Sequence, residues 1–173
     1  ARLTAAVLLV FAMLRPEIQI TETDIKSAVM LIAGDTSRSM TTQDGPGGVT
    51  RREALARTLT ENKDRLEEIG KLIDVRYFDF DSLGRPVDIT AEDKPGTTAE
   101  GTETAIGDLL KLMIREAQGQ QVVGLILMTD GAQRTIDPNS TDPRTVAREL
   151  GQLQIPVLPV PYGEAGLAND AID

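Results

Sequence analysis

The 173-residue sequence contains no cysteine and no histidine. Without cysteine, no disulfide bond can form within these residues, and the composition gives no indication of the redox compartment. Without histidine, Ser-His-Asp and Cys-His catalysis and histidine-ligated zinc sites are excluded. These two absences remove common catalytic and zinc-binding chemistry before any motif is considered.

Aromatic residues are also scarce, at 3% of the sequence, whereas 40% of the residues are hydrophobic. The core must therefore consist mainly of Leu, Ile, Val and Ala, as is usual in parallel α/β sheets. The chain is long enough for one domain with a substantial core. Its formal net charge of −9 argues against nucleic acid as a partner, because binding to phosphates needs a basic patch.

The longest apolar run stands at the start of the chain. Between Leu3 and Leu14 only Thr4 is not apolar. As a helix this run would span about 18 Å, which is short of the roughly 30 Å hydrocarbon core of a bilayer. It could be a buried helix, the core of a signal peptide, or the second half of a transmembrane helix. The abrupt start with Ala favours the last, with 1–15 as the end of a transmembrane helix and 16–27 as a linker or edge strand.

A short apolar segment at 28–34 is followed at once by a polar cluster. The unbroken run Val-Met-Leu-Ile-Ala is typical of a strand buried on both faces. Asp35, Ser37 and Ser39 follow at alternate positions, where ligands bind at the carboxyl end of a strand in an open α/β sheet. Their oxygens suit a hard cation such as Mg²⁺. The alternative is that these residues only end the strand and cap the next segment of the chain.

The rest of the sequence predicts alternating helices and strands. Thr50 and Glu53 form a capping box that begins a helix, which has a break near Asn62 and ends at Gly70. Further helices are predicted for 104–117 and after 142–143, and further strands for 72–80, 85–89, 122–128 and 155–160. This order predicts an α/β fold with a doubly wound, mostly parallel open sheet and one antiparallel edge strand, 85–89.

Three motifs now stand at predicted strand ends or helix starts. They are DTSRSM (35–40), GTETAIGDLL (101–110) and LILMTDGA (125–132). In this order they resemble the motifs of the von Willebrand factor type A (VWA) domain, and the resemblance covers about residues 28–162. It implies a Rossmann-like VWA fold for residues 28–163 and a metal-ion-dependent adhesion site at the carboxyl edge of the sheet.

The resemblance also implies a set of metal ligands, namely Asp35, Ser37, Ser39, Thr104 and Asp130. Thr104 matches the second-loop threonine of the family, with Thr102 as the alternative, and Asp130 matches an aspartate that typically reaches the ion through water. The expected ion is Mg²⁺, with Mn²⁺ or Ca²⁺ as alternatives. Because hydroxyl ligands leave the charge of the ion poorly neutralised, an Asp or Glu of a protein partner can fill an open position.

Two features depart from the pattern of the family. Gly34 stands where the family usually has an apolar residue, and 164–173 lacks the apolar run that a final strand and helix would need. The segment 164–173 is therefore interpreted as a linker to a further module. A membrane helix followed by a type A domain resembles bacterial membrane-anchored VWA proteins, which implies anchoring through residues 1–15 and an extracytoplasmic VWA domain.

The sequence thus predicts a divalent-metal-dependent module for protein–protein interaction and not an enzyme. The first alternative is a structural VWA-like module with a degenerate, metal-free site. The second is a Mg²⁺-dependent phosphatase of the haloacid-dehalogenase type, because Asp79 and Asp81 imitate the D-x-D motif and Thr129 and Asp130 imitate the second motif of those enzymes. Such enzymes need a later Lys or Arg and then an acidic pair at a strand end. No Lys follows Lys111, no such acidic pair follows a later strand, and the later Arg134, Arg144 and Arg148 have no partner motif.

Overall fold

The computed structural model describes residues 28–87, 96–117, 119–131 and 133–163. The predicted membrane helix (1–15), the linker (16–27) and the tail (164–173) lie outside these residues, as does the end of the predicted strand 85–89. Within the described ranges, no helix is long and apolar enough to cross a membrane.

The strands of the described chain form one five-stranded sheet. Their bounds are β1 Ala28–Asp35, β2 Asp74–Phe80, β3 Gly84–Val87, β4 Gln121–Thr129 and β5 Val157–Pro161. The spatial order is β3-β2-β1-β4-β5, and β3 is antiparallel to β2 whereas all other pairs are parallel. The predicted fold class is confirmed, with the first apolar strand in the centre of the sheet and one antiparallel strand at its edge.

Helices cover both faces of this sheet. Their bounds are α1 Arg51–Glu61, α2 Lys63–Gly70, α3 Ile106–Glu116 and α4 Pro143–Gln152. Leu55 of α1 packs in a buried cluster with Ile32 of β1, whereas Leu110 of α3 packs in a second cluster with Leu31. Because successive residues of a strand point to opposite faces, the neighbours Leu31 and Ile32 belong to different halves of the core. The sheet is therefore doubly wound.

The helix ends follow the signals in the sequence. The Thr50 hydroxyl accepts a hydrogen bond from the Glu53 N–H at 3.1 Å, and the Glu53 carboxylate accepts one from the Thr50 N–H at 2.8 Å, which is the predicted capping box. The predicted break is the single residue Asn62 between α1 and α2. Asp142 caps α4, whose first residue is Pro143.

In the described part of the chain, β5 is an edge strand whose outer side is poor in hydrogen-bond donors. The Pro156 carbonyl accepts a bond from β4 at 2.9 Å and the Tyr162 N–H donates to β4 at 3.0 Å. Backbone groups alternate along a parallel strand, so the even-numbered residues of β5 face β4 and the odd-numbered ones face outward. Pro159 and Pro161 are outward positions and have no N–H to offer, which protects this edge against pairing with another strand.

Candidate metal centre

The two carboxylates predicted as metal ligands follow adjacent strands. Asp35 is the last residue of β1, and Asp130 comes directly after the last residue of β4. These strands are parallel neighbours, with Gly34 in register with Met128. The loops that carry the two carboxylates therefore open at the same carboxyl edge of the sheet, which is the usual ligand position in such folds.

Asp35 is fully buried, and hydrogen-bond donors hold both of its carboxylate oxygens. Oδ1 accepts from the Ser37 N–H at 2.8 Å, and Oδ2 accepts from the Thr129 hydroxyl at 2.6 Å. Burial raises the pKa of Asp35 above its ordinary value, the bonds from Thr129 and Ser37 oppose this increase, and the negative charge of Asp130 adds to it. A cation between the two carboxylates would relieve that repulsion.

The hydroxyl groups of Ser37 and Ser39 lie side by side in the first loop. Their oxygens are 2.9 Å apart, and Ser37 is buried. Two adjacent oxygens around an octahedral Mg²⁺ at about 2.05 Å are about 2.9 Å apart, so the spacing that allows a hydrogen bond also suits two neighbouring ligands. A 3-10 turn at Arg38–Thr41 follows, in which the Met40 N–H donates to the Ser37 carbonyl and closes the loop.

Gly101 joins the second loop to the first. Its carbonyl accepts a hydrogen bond from the Arg38 N–H at 2.7 Å, and its N–H donates to the Thr36 carbonyl at 3.0 Å. A Cβ at this position would overlap the Asp81 side chain, so the close approach of the two loops requires glycine. The backbone of the second loop is thereby fixed against the loop that carries the serines.

Thr104, the predicted ligand of the second loop, is buried, whereas the alternative Thr102 is exposed. The Thr104 N–H donates to the Arg134 carbonyl at 2.7 Å. Neither threonine caps α3, since the residue at the cap is Ala105 and no side-chain capping bond is present. The structural explanation for these threonines, helix capping, therefore does not apply, and burial favours Thr104 over Thr102 as the candidate ligand.

Asp130 forms an ion pair with Arg51, the first residue of α1. The Arg51 Nη1 lies 3.0 Å from the Asp130 Oδ2. The same guanidinium binds both carboxylate oxygens of Asp44, at 2.8 Å from Nε and 2.6 Å from Nη2. The exposed fractions of the three side chains are 13% for Arg51, 11% for Asp44 and 6% for Asp130. The loop after β4, which carries Asp130, is thus linked through Arg51 to α1 and to the loop before α1 by two shielded ion pairs.

The next residue, Arg52, is fully buried and supports the first loop. It donates to the Asp35 backbone carbonyl at 3.2 Å and to the Gly96 carbonyl at 2.7 Å, and it forms an ion pair with Asp79 at 2.6 Å. The Tyr77 hydroxyl donates to the same Asp79 carboxylate at 2.8 Å. Burial raises the pKa of the Tyr77 phenol above its ordinary value, so the hydroxyl remains protonated and keeps its role as a donor.

This buried network explains the glycine that precedes Asp35. A Cβ on Gly34 would overlap the Tyr77 hydroxyl oxygen and would lie 3.1 Å from the Arg52 Nη1. The Tyr77 side chain therefore occupies the space into which a side chain at position 34 would project. The small residue at position 34 is thus matched by a large residue on the neighbouring strand.

The two aspartates of the phosphatase alternative have structural partners. Asp79 binds Arg52 and Tyr77. Asp81 forms an ion pair with Arg85 at 2.6 Å and accepts a hydrogen bond from the Leu83 N–H at 3.1 Å, in the turn before β3. Asp81 therefore belongs to a polar turn before the edge strand, whereas Asp79 lies within β2 and belongs to the buried network of Arg52 and Tyr77.

The predicted ligand set fits a hard divalent cation in its chemistry. Among the residues that the structure describes, no cluster of three or more His, Cys, Asp or Glu side chains could hold a metal ion. The predicted set is of another kind, because it combines only two carboxylates with three hydroxyl groups. Oxygen donors with a formal charge of −2 suit Mg²⁺. Arg51 is an additional positive charge that any ion at Asp130 would meet.

The sequence motifs did not identify Arg51 or Arg52, and they named Thr129 for the phosphatase alternative and not as a partner of Asp35. A signal for the two arginines is present, because both lie in the first turn of α1, where the partial positive charge of a helix N-terminus disfavours cations. Two arginines at this position need anionic partners, and Asp44 and Asp79 provide them. Thr129 carries no comparable signal, since threonine is a common strand residue.

No protein-family model matches the chain, and no curated protein matches it. Solved structures do share its fold. One is an aerotolerance-related membrane protein from Bacteroides fragilis, studied with multiple mutations to serine. It is 21% identical with a TM-score of 0.59, and the match covers 83% of this chain and 75% of that protein.

Two further structures show the same likeness. The conserved hypothetical protein BatB from Bacteroides thetaiotaomicron is 23% identical with a TM-score of 0.57, and the match covers 78% of this chain and 66% of that one. Proximal thread matrix protein 1 from the mussel byssus is 19% identical with a TM-score of 0.52, and this chain spans only 37% of its length. At these identities the likeness concerns the fold alone. The chain forms a VWA-like α/β module, similar in fold to a bacterial protein described as a membrane protein.

Proposed function

We propose that this domain binds a divalent cation, with Mg²⁺ as the preferred ion, and uses the open position of that ion to bind an Asp or Glu side chain of a protein partner. One observation supports the proposal above all others. The Ser37 and Ser39 oxygens lie 2.9 Å apart, beside a buried Asp35 whose own two oxygens are held in place. This arrangement offers a preformed pair of neutral ligands next to a fixed negative charge.

The charge balance favours binding of a partner over catalysis. Both oxygens of Asp35 already accept hydrogen bonds, and Asp130 shares its charge with Arg51. An ion held mainly by neutral hydroxyl groups would keep most of its positive charge and several exchangeable waters. A carboxylate from a partner would supply the missing negative charge without any proton transfer or covalent step. We therefore propose a non-enzymatic, adhesion-type role.

The apolar run in residues 3–14 supports a further proposal, that the domain is anchored in a bacterial membrane through residues 1–15. The likeness in fold to an aerotolerance-related membrane protein is in agreement with this. In this arrangement residues 28–163 form an extracytoplasmic VWA-like module, and 164–173 connect it to a further module.

Thermal unfolding in increasing Mg²⁺ at constant ionic strength tests the metal site. Because the ion would bind the native state alone, an ion concentration of one hundred times Kd should stabilise the domain by about 2.7 kcal/mol. For a domain of this size that corresponds to an increase in Tm of about 5–10 °C. Asp35→Asn should abolish the increase and still fold, because it keeps the size of the side chain and removes the repulsion with Asp130.

Thr104 and Thr102 provide a matched pair of variants for the same measurement. Thr104→Ala should weaken the Mg²⁺ response, because it removes a buried hydroxyl ligand, whereas Thr102→Ala should respond like the wild type. A wild-type Tm that does not change with Mg²⁺ or Mn²⁺ would contradict the proposal. Pull-down of a partner in Mg²⁺ and in EDTA then tests the adhesion step, and hydrolysis of a generic aryl phosphate tests the phosphatase alternative.

A structural module with a metal-free site is the second candidate function. The observation that favours it is the ion pair of Arg51 with Asp130, because the guanidinium already supplies a positive charge to one of the two carboxylates. The absence of a Mg²⁺ effect on Tm would support this candidate.

A further inference from the structure

We infer that Arg51 is a built-in cation of the proposed metal site, which competes with the divalent ion for Asp130 and so sets the affinity for metal. The inference rests on the proposed function, since it concerns the same site. It gives control of the metal affinity to a residue that lies outside all three sequence motifs.

The position of Arg51 is fixed on several sides. Asp44 binds the guanidinium through two nitrogens, at 2.8 and 2.6 Å, and Asp130 binds the third nitrogen at 3.0 Å. Gly163 passes so close that a Cβ there would lie 2.8 Å from the Arg51 Nε. Bidentate binding of this kind is geometrically specific and stronger than a bond between neutral groups. Arg51 is therefore a preorganised charge and not a side chain that meets Asp130 by chance.

The loop before α1 helps to hold this arrangement. The Arg51 N–H donates to the Thr42 carbonyl at 3.0 Å, and the Gly48 N–H donates to the Gly45 carbonyl at 2.9 Å. Gly47 and Gly48 have φ values of 84° and 75°, which favour glycine, so these two residues allow the tight turn. This turn places Asp44 beside Arg51, which follows it by seven residues in the chain.

The electrostatic consequence follows from the charges at the sheet edge. Asp35 and Asp130 repel each other, and Arg51 offsets part of this repulsion through Asp130. A divalent ion would offset the same repulsion, but it would also stand close to the guanidinium, and like charges in a shielded site oppose each other. Arg51 thus raises the stability of the metal-free protein and lowers its affinity for the metal. Asp44 moderates the competition, because it neutralises Arg51 through Nε and Nη2, whereas Asp130 binds Nη1.

The test compares Arg51→Gln with wild type in two measurements, the Tm without metal and the Kd for Mg²⁺ by calorimetry. Glutamine has no charge, and its Nε2 corresponds to the Arg51 Nε, which donates to Asp44, so the variant removes the charge from Asp130. We expect the metal-free Tm to fall and the Mg²⁺ affinity to rise, on the order of tenfold. Arg57→Gln, an exposed position on the same helix, is the matched control and should change neither value appreciably.

Asp44→Asn gives a second, independent measurement with the opposite sign. Removing this negative charge leaves Arg51 less neutralised, so the Mg²⁺ affinity should fall by several-fold. Arg51→Gln, in contrast, should raise it. If the Arg51–Asp44 pair only held the loop in shape, both variants would change the Mg²⁺ affinity in the same direction. If Arg51→Gln binds Mg²⁺ no more tightly than wild type, or if both variants weaken binding, the inference is overturned.

The outcomes also separate this inference from the proposed function. Mg²⁺ binding by wild type and tighter binding by Arg51→Gln support both. Binding by Arg51→Gln alone supports the inference and overturns the proposed function, because Arg51 would then replace the ion in the native protein. Binding by wild type with no gain in the variant overturns the inference and leaves the function standing. Failure of both proteins to bind Mg²⁺ overturns both.

Discussion

Replacing Arg52 with methionine should lower the free energy of unfolding by about 3–5 kcal/mol, the usual cost of removing one partner of a buried ion pair. Arg52 is fully buried, and its guanidinium binds Asp79 together with the Asp35 and Gly96 carbonyls. Methionine fills a similar space but leaves these acceptors without their donor. The loss should appear in urea denaturation as a lower midpoint with an unchanged slope.

Two further variants control this measurement. Arg57→Met removes the same kind of side chain from an exposed position of the same helix and should change stability by no more than about 0.5 kcal/mol. The double variant with Arg52→Met and Asp79→Asn should recover part of the loss, because it removes the carboxylate that the single variant leaves uncompensated. A cost below about 1 kcal/mol for Arg52→Met would show that the network does not stabilise the native loop.

Local signals in the sequence were sufficient to predict the architecture. The apolar run after Ala28 indicated the central strand, and the capping box of Thr50 and Glu53 indicated the start of α1 to the residue. Asn62 marked the interruption before α2. These predictions succeeded because each depends on neighbours within four or five positions in the chain.

The predicted start of α3 shows where local reasoning ends. The sequence predicts that this helix begins at Thr104, but it begins at Ile106, two residues later. The backbone of Thr104 instead pairs with Arg134, 30 positions further along the chain. A long-range pairing outweighed the local capping signal, and a single sequence does not reveal such pairings.

The residues that hold the site in place were not predicted, because they too act through long-range contacts. The ligand candidates form recognisable motifs, but the residues that hold them are distant in sequence. Arg52 binds the Asp35 carbonyl from 17 positions away, and Thr129 binds the Asp35 carboxylate from 94 positions away. The two arginines at the start of α1 were a signal that some anion lay nearby, because a helix N-terminus disfavours cations. The identity of the anions required the structure.

Gly34 and Tyr77 form a compensating pair whose coupling can be measured. Gly34→Ala should destabilise the domain by about 1–3 kcal/mol, because the added Cβ would overlap the Tyr77 hydroxyl in a packed interior. Tyr77→Phe alone should cost about 1–2 kcal/mol, since Asp79 loses a hydrogen-bond donor.

The double variant distinguishes compensation from two independent defects. Phenylalanine removes the oxygen that the new Cβ would overlap, so Gly34→Ala should cost less in the Tyr77→Phe background, by about 0.5–3 kcal/mol. Rescue should be incomplete, because the Cβ would still lie 3.0 Å from the ring carbon Cζ and 3.1 Å from the Arg52 Nη1. Urea denaturation of the four proteins provides the cycle. Strictly additive costs would mean that Tyr77 is not the reason for glycine at position 34.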